Sequence, residues 1–145
     1  MATRYECLQL LAPRITNELI VTGVAGVARA WHHLKHRDGN LYTVFMPGAT
    51  AFAFGLATAL PHRRIISLDG DGSMLMGSSL LPAIANKGPS NLLIIVFDNE
   101  LYLSASGKRV PTFTAGRTDL AAMARGAGIA NAKLVRELPE FRQDI

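Results

Sequence analysis

Leu68-Asp69-Gly70-Asp71-Gly72-Ser73, read together with Asn99, decides how this sequence folds. The hexapeptide follows a short β-rich run, residues 64–68. It precedes residues 74–86, which read as a helix ending at the Lys87-Gly88-Pro89 stop. Residues 92–97, LLIIVF, are then an unbroken apolar run, the pattern of a strand covered on both faces. Strand, crossover helix and buried strand in succession imply an α/β fold, a parallel sheet with helices on both faces. In such sheets ligands sit beyond the carboxyl ends of the strands. Those ends carry Asp69, Asp71, Asp98 and Asn99.

Working outward, the alternation continues. Residues 18–22 (ELIVT) are β-rich and lead through Gly23 into a helical stretch, 24–36, with Val27, Trp31 and Leu34 on one stripe. Asp38-Gly39-Asn40 marks a turn, followed by a strand at 41–45 and a helix at 49–60. Beyond the buried run come a polar loop at 98–114, a cap at Thr118-Asp119, a helix at 120–127 and a short strand at 132–135. No repeat and no low-complexity tract interrupts the chain.

Composition narrows the function. The 145 residues fit one domain, residues 1–145, and 49% of them are hydrophobic, enough for a real core. The formal charge of +4 is scattered in short clusters, and only 7% of residues are aromatic, which argues against a nucleic-acid platform. Residues 41–61 carry no charge, but Pro47, Gly48 and Gly55 break them, so no membrane span is expected. The chain opens without a secretory signal, and the single Cys7 excludes an internal disulfide, which together suggest the cytoplasm. Adjacent His32 and His33 point to different helix faces and make no metal pair, and His62 reads as an exposed turn residue.

The glycines flanking Asp71 let the backbone turn sharply and approach a ligand closely. A helix start beside them favours phosphate, and a carboxylate there calls for a divalent cation in between. Mg²⁺ held by one carboxylate and phosphate oxygens satisfies both demands. A strand-to-helix turn with an Asp cap is the plainer alternative. Residues 73–98 number 26 and are followed by Asn99. One helix and the next parallel strand bring the chain back to the same sheet edge, which sets Asn99 beside Asp71.

Gly70-Asp71-Gly72, this spacing and Asn99 resemble the thiamine diphosphate fingerprint. The likeness runs along essentially the whole chain. Further support comes from Arg4-Tyr5-Glu6-Cys7-Leu8, Arg37-Asp38-Gly39-Asn40-Leu41-Tyr42, Ala59-Leu60-Pro61-His62-Arg63-Arg64 and TDLAAMARGAGI at 118–129. The sequence is similar to the diphosphate-binding (PP) module of thiamine diphosphate enzymes, in particular the separate PP subunit of sulfopyruvate and phosphonopyruvate decarboxylases. The resemblance implies Mg²⁺ on Asp71, Asn99 and the carbonyl of Leu101. It implies a diphosphate lined by Gly70, Gly72 and Ser73, with Tyr102 beside the cofactor and Met46 propping it into its bent form. It further implies decarboxylation of a small acidic 2-oxoacid, with the activating glutamate on a Pyr-module subunit of a hetero-oligomer. The uncharged 49–60 helix would pack one side on the sheet and the other on that partner. Lys108, Arg109 and Arg117 could hold the substrate's anionic tail, or be ordinary exposed loop charges.

The chain departs from that family at Val44 and Pro47, where glycines flank the Met46 region, and at Leu103, where a glycine follows Tyr102. Against the family pattern it also ends at Ile145 one strand and one helix short. Two other readings compete. Asp69 and Asp71 fit a haloacid dehalogenase-type phosphatase, as nucleophile and acid/base. A non-catalytic PP-like binding subunit would need no turnover.

Overall fold

The computed structural model describes residues 1–103 and 107–145, so three residues of the expected 98–114 loop lie outside the described part. Four strands form one parallel sheet: β1 (Leu19–Thr22), β2 (Asn40–Tyr42), β3 (Ile65–Gly70) and β4 (Leu92–Phe97), in the order β2-β1-β3-β4. Helices α1 (Arg4–Leu11), α2 (Gly26–Lys35) and α7 (Leu138–Asp144) gather on one face. Helix α3 (Ala49–Ala59) covers the other. The α/β architecture expected from the alternation is the one observed.

Strand periodicity divides the core. Ile20, Ile66 and Leu68 point toward Leu8, Leu11, Val27 and Trp31. Val21 and Ile65 meet Ala49, Ala53 and Ala57, a small-residue stripe at four-residue spacing that brings α3 close to the sheet. Ser67 and Asp69 share the α3 side of β3, where Thr50 meets both side chains. The far face of α3 stays apolar and open. Phe52 is 47% exposed and lies edge-on to Phe45, their ring centroids 6.1 Å apart.

Several expectations need correction. Strand β2 stops at Tyr42 rather than residue 45: its partner β1 ends at Thr22, whose carbonyl takes the last ladder bond from the Thr43 N–H and a second from the Thr43 hydroxyl. The helix expected at 74–86 is two, α4 (Asp71–Met76) and α5 (Leu80–Lys87). The break falls where Pro47 presses so closely that a Cβ on Gly77 would lie 2.9 Å from it. Strand β4 is half-buried rather than fully covered: it lies beside β3 alone among the described strands, with Ile95 and Phe97 packed on one face and Leu92 on the other. The 98–114 stretch contains an antiparallel hairpin, β5 (Leu101–Leu103) with β6 (Arg109–Pro111). Residues 132–135 form no strand. They are tied locally, Arg125 donating to the Ala132 carbonyl and Lys133 pairing with Asp144. Helix α6 (Leu120–Gly126) starts as expected, its first turn capped by Asp119. His62 is exposed and Cys7 is buried, its thiol pushed up by burial and by neighbouring Glu6. No helix among the described residues is long and apolar enough to cross a membrane.

The opposite sheet end is locked by Glu18, 3% exposed. Burial alone would raise its carboxyl. The backbone N–H groups of Thr16 and Asn17 and the Arg64 guanidinium outweigh burial and hold the group below the ordinary carboxylate range. A folded-state value below the unfolded one stabilises at neutral pH, and that contribution is lost as pH falls through the folded value. Glu18→Gln should therefore lower the melting temperature at about pH 7, with the gap to wild type closing by about pH 3. Thermal denaturation across that range checks it.

Candidate functional site

Two aspartates end β3 and face different ways. Asp69, 1% exposed, turns toward α3: its Oδ2 accepts the Thr50 hydroxyl at 2.9 Å and the Thr50 N–H at 3.3 Å. Its Oδ1 accepts the Gly70 N–H at 2.9 Å. This carboxylate fixes the start of α3 and, at 1% exposure, is closed off from an incoming phosphate. The phosphatase reading fails on that geometry.

Asp71 opens α4 and is 2% exposed, yet the partners described for it are neutral. Its Oδ2 accepts the Thr112 hydroxyl at 2.6 Å and lies 3.3 Å from that of Thr114. Its Oδ1 faces Asn99, which β4 delivers through the Asp98 turn. The inward atom of the Asn99 amide lies 3.0 Å from Asp71 Oδ1 and 3.1 Å from the Leu101 carbonyl oxygen. With nitrogen there, the amide donates to both. Turned by 180°, it presents oxygen, and three acceptors converge, with the Leu101 N–H 3.4 Å from the amide oxygen. Donors about 2.05 Å from an octahedral Mg²⁺ stand about 2.9 Å apart along an edge, so this donor set suits that ion.

The sequence-derived residues Asp71, Asn99 and Leu101 thus come together, with Gly70, Gly72, Ser73 and Tyr102 around them. A Cβ on Gly72 would lie 2.2 Å from Cε1 of Tyr102, whose ring rests against that glycine. Gly70 differs: its φ of −111° is open to any residue, and a Cβ there would meet nothing within 4 Å. Neither backbone nor packing demands glycine at position 70. The Ser73 hydroxyl is buried without a hydrogen-bond partner. A buried hydroxyl with no partner is a group that a ligand oxygen could satisfy.

The other expected residues stand farther out. Half-buried Met46 occupies the turn before α3, where Pro47 packs on Gly77 at the end of α4. Lys108, Arg109 and Arg117 are exposed, and no described hydrogen bond or ion pair joins Arg109 or Arg117 to Asp71, Asp98 or Asn99. Sequence reading placed Asp98 at this strand end but missed Thr112 and Thr114 as parts of the cluster. The Thr112-Phe113-Thr114 alternation was the available signal.

Residues 25–145 match the thiamine pyrophosphate enzyme family's C-terminal TPP binding domain. The chain is 27% identical over 136 residues to the sulfopyruvate decarboxylase subunit beta of Methanococcus maripaludis, covering 93% of this chain and 71% of that one. With the Methanocaldococcus jannaschii subunit beta, identity is 30% over 128 residues, 88% of this chain and 66% of the relative. With phosphonopyruvate decarboxylase of Streptomyces viridochromogenes it is 32% over 128 residues, 87% of this chain and 31% of that one. Benzoylformate decarboxylase from Polynucleobacter necessarius superposes with a TM-score of 0.71 at 17% identity, over 97% of this chain and 29% of that chain. The chain belongs to the C-terminal TPP-binding-domain family of thiamine pyrophosphate enzymes, and its sheet and helices have that domain's fold. It spans about two thirds of the length of the beta subunits and about a third of phosphonopyruvate decarboxylase.

The two glycines separate packing from binding. Gly72→Ala should lose about 1–3 kcal/mol of stability as the Tyr102 ring is displaced. Gly70→Ala should hold or gain about 0.4–1 kcal/mol, while thiamine diphosphate retention falls. Chemical denaturation and cofactor titration of both variants test this.

Proposed function

We propose that this chain is the PP subunit of a thiamine diphosphate- and Mg²⁺-dependent decarboxylase acting on a small acidic 2-oxoacid of the sulfopyruvate or phosphonopyruvate type. The observation that carries the reading is the convergence of Asp71 Oδ1, the Asn99 amide and the Leu101 carbonyl within 3.0–3.1 Å. They would hold the cation, with the space at Gly70 and the free Ser73 hydroxyl taking the diphosphate. When bound, thiamine diphosphate supplies the carbon nucleophile and electron sink for loss of CO₂. This chain's part is to bind and orient. Asp71 and Asn99 fix the anionic end, the Tyr102 ring closes over Gly72, and the Met46 turn supports the other end from α3.

The relatives named "subunit beta" support a partner chain. A Pyr-type partner would bring the carboxylic acid that activates the cofactor, and the open apolar face of α3 with Phe45 and Phe52 suits such a contact. Lys108, Arg109 and Arg117 would meet the substrate's anionic tail as donors to its oxygens. A free thiol and the absence of any long apolar helix among the described residues agree with a cytoplasmic setting.

Calorimetric titration of the wild type with thiamine diphosphate should show binding that needs Mg²⁺. Asp71→Asn and Asn99→Ala should each weaken it by more than the roughly 10–100-fold that loss of an outer hydrogen-bond partner costs. Decarboxylation of sulfopyruvate or phosphonopyruvate should require the partner subunit. Tight cofactor binding unaffected by either substitution would sink the assignment.

A further inference from the structure

We propose that Thr112 and Thr114 are positioning residues that hold Asp71 and the Asn99 turn in register for the divalent cation, an inference that rests on the cation reading above. The segment after β6 inverts the usual preference for burial. Thr112 is 4% and Thr114 9% exposed, whereas Phe113 between them is 75% exposed. Burying two hydroxyls while leaving a phenylalanine in water runs against the hydrophobic effect. What the segment gains instead is contact with two carboxylates.

The hydroxyls divide between those carboxylates. Thr112 donates to Asp71 Oδ2 at 2.6 Å. Thr114 donates to Asp98 Oδ1 at 2.7 Å, and its oxygen lies 2.8 Å from that of Thr112. Asp98 Oδ1 also accepts the Glu100 N–H at 3.0 Å, which fixes the turn carrying Asn99. The Thr112 N–H donates to the Glu100 carbonyl at 3.0 Å, so one short segment grips both sides of the site. With Oδ2 tied to Thr112, Asp71 cannot exchange its two oxygens by rotating, and Oδ1 is the atom that faces Asn99 and Leu101. Ligand carboxylates are oriented in this way by the hydrogen bonds on their other oxygen.

The test uses the full-length protein, Mn²⁺ as a spectroscopic probe and inorganic pyrophosphate. Loss of the free Mn²⁺ electron paramagnetic resonance signal reports binding, and unfolding in EDTA reports fold. Thr112→Val should keep a native circular dichroism spectrum and weaken Mn²⁺ about 10-fold or more, and Thr112→Ser should restore it. Thr114→Val, which removes the Asp98 link and the longer 3.3 Å contact with Asp71 but leaves the 2.6 Å Thr112 bond, should weaken Mn²⁺ less. A folded Thr112→Val protein that binds Mn²⁺ as the wild type does would overturn the proposal. Should Thr112→Val lose its fold, Thr114→Val decides: weakened binding supports the proposal and unchanged binding overturns it. A wild-type protein that retains no Mn²⁺ with pyrophosphate overturns the cation reading itself, and this inference with it.

Discussion

Two carboxylates at the end of one central strand, both nearly fully buried, set the terms for everything around them. A buried carboxylate costs several kcal/mol unless donors surround it. β3 places Asp69 and Asp71 at its tip with 1% and 2% exposure, and the described partners of both are hydroxyls, backbone N–H groups and an amide. Asp69 draws its donors from Thr50 and so anchors α3. Asp71 takes its donor from Thr112, with Thr114 and Asn99 close by, and so gathers the loops after β4 and β6. One aspartate organises the scaffold and the other organises the site.

That division explains why residue types recur where they do. Gly23 lies where a Cβ would come within 2.8 Å of Asp69 Oδ1, so the end of β1 must be bare for the Asp69 carboxylate to lie there. The Met46–Pro47 turn can approach α4 only because Gly77 has no side chain, a contact made at the end of that helix. The glycines that looked like one motif in the sequence answer to different neighbours. Gly72 yields to the Tyr102 ring, while Gly70 faces open space.

The sequence made the parallel sheet, its strand ends and the pairing of Asp71 with Asn99 legible, because a crossover helix of ordinary length leaves the chain little choice of where to return. It could not place Thr112 and Thr114. They reach Asp71 from 41 and 43 residues away, through a hairpin whose strands are only three residues each. Strands that short carry no periodicity to read. The break between α4 and α5 falls at Gly77-Ser78-Ser79, a weak local stop inside an otherwise helical pattern, where Pro47 also packs closely. For β4 the apolar run was read correctly as a strand, but its covering depends on a second neighbour that apolarity alone cannot supply.

The donor set also bears on what chemistry this chain can and cannot contribute. Around Asp71 and Asn99 the described groups are two threonine hydroxyls, an amide, a peptide carbonyl and carboxylates already engaged by donors. Such groups hold a cation and its anion in place. Hydroxyls, an amide and a peptide carbonyl are too weakly acidic or basic to pass a proton near neutral pH. Glu100, the nearest glutamate in sequence, sits exposed in a turn with φ of 60° and supports that turn through its backbone. A site so rich in anchoring groups is suited to gripping a cofactor's anionic end. These hydrogen bonds assign Asp69 to the scaffold and Asp71 and Asp98 to the anchoring of the site.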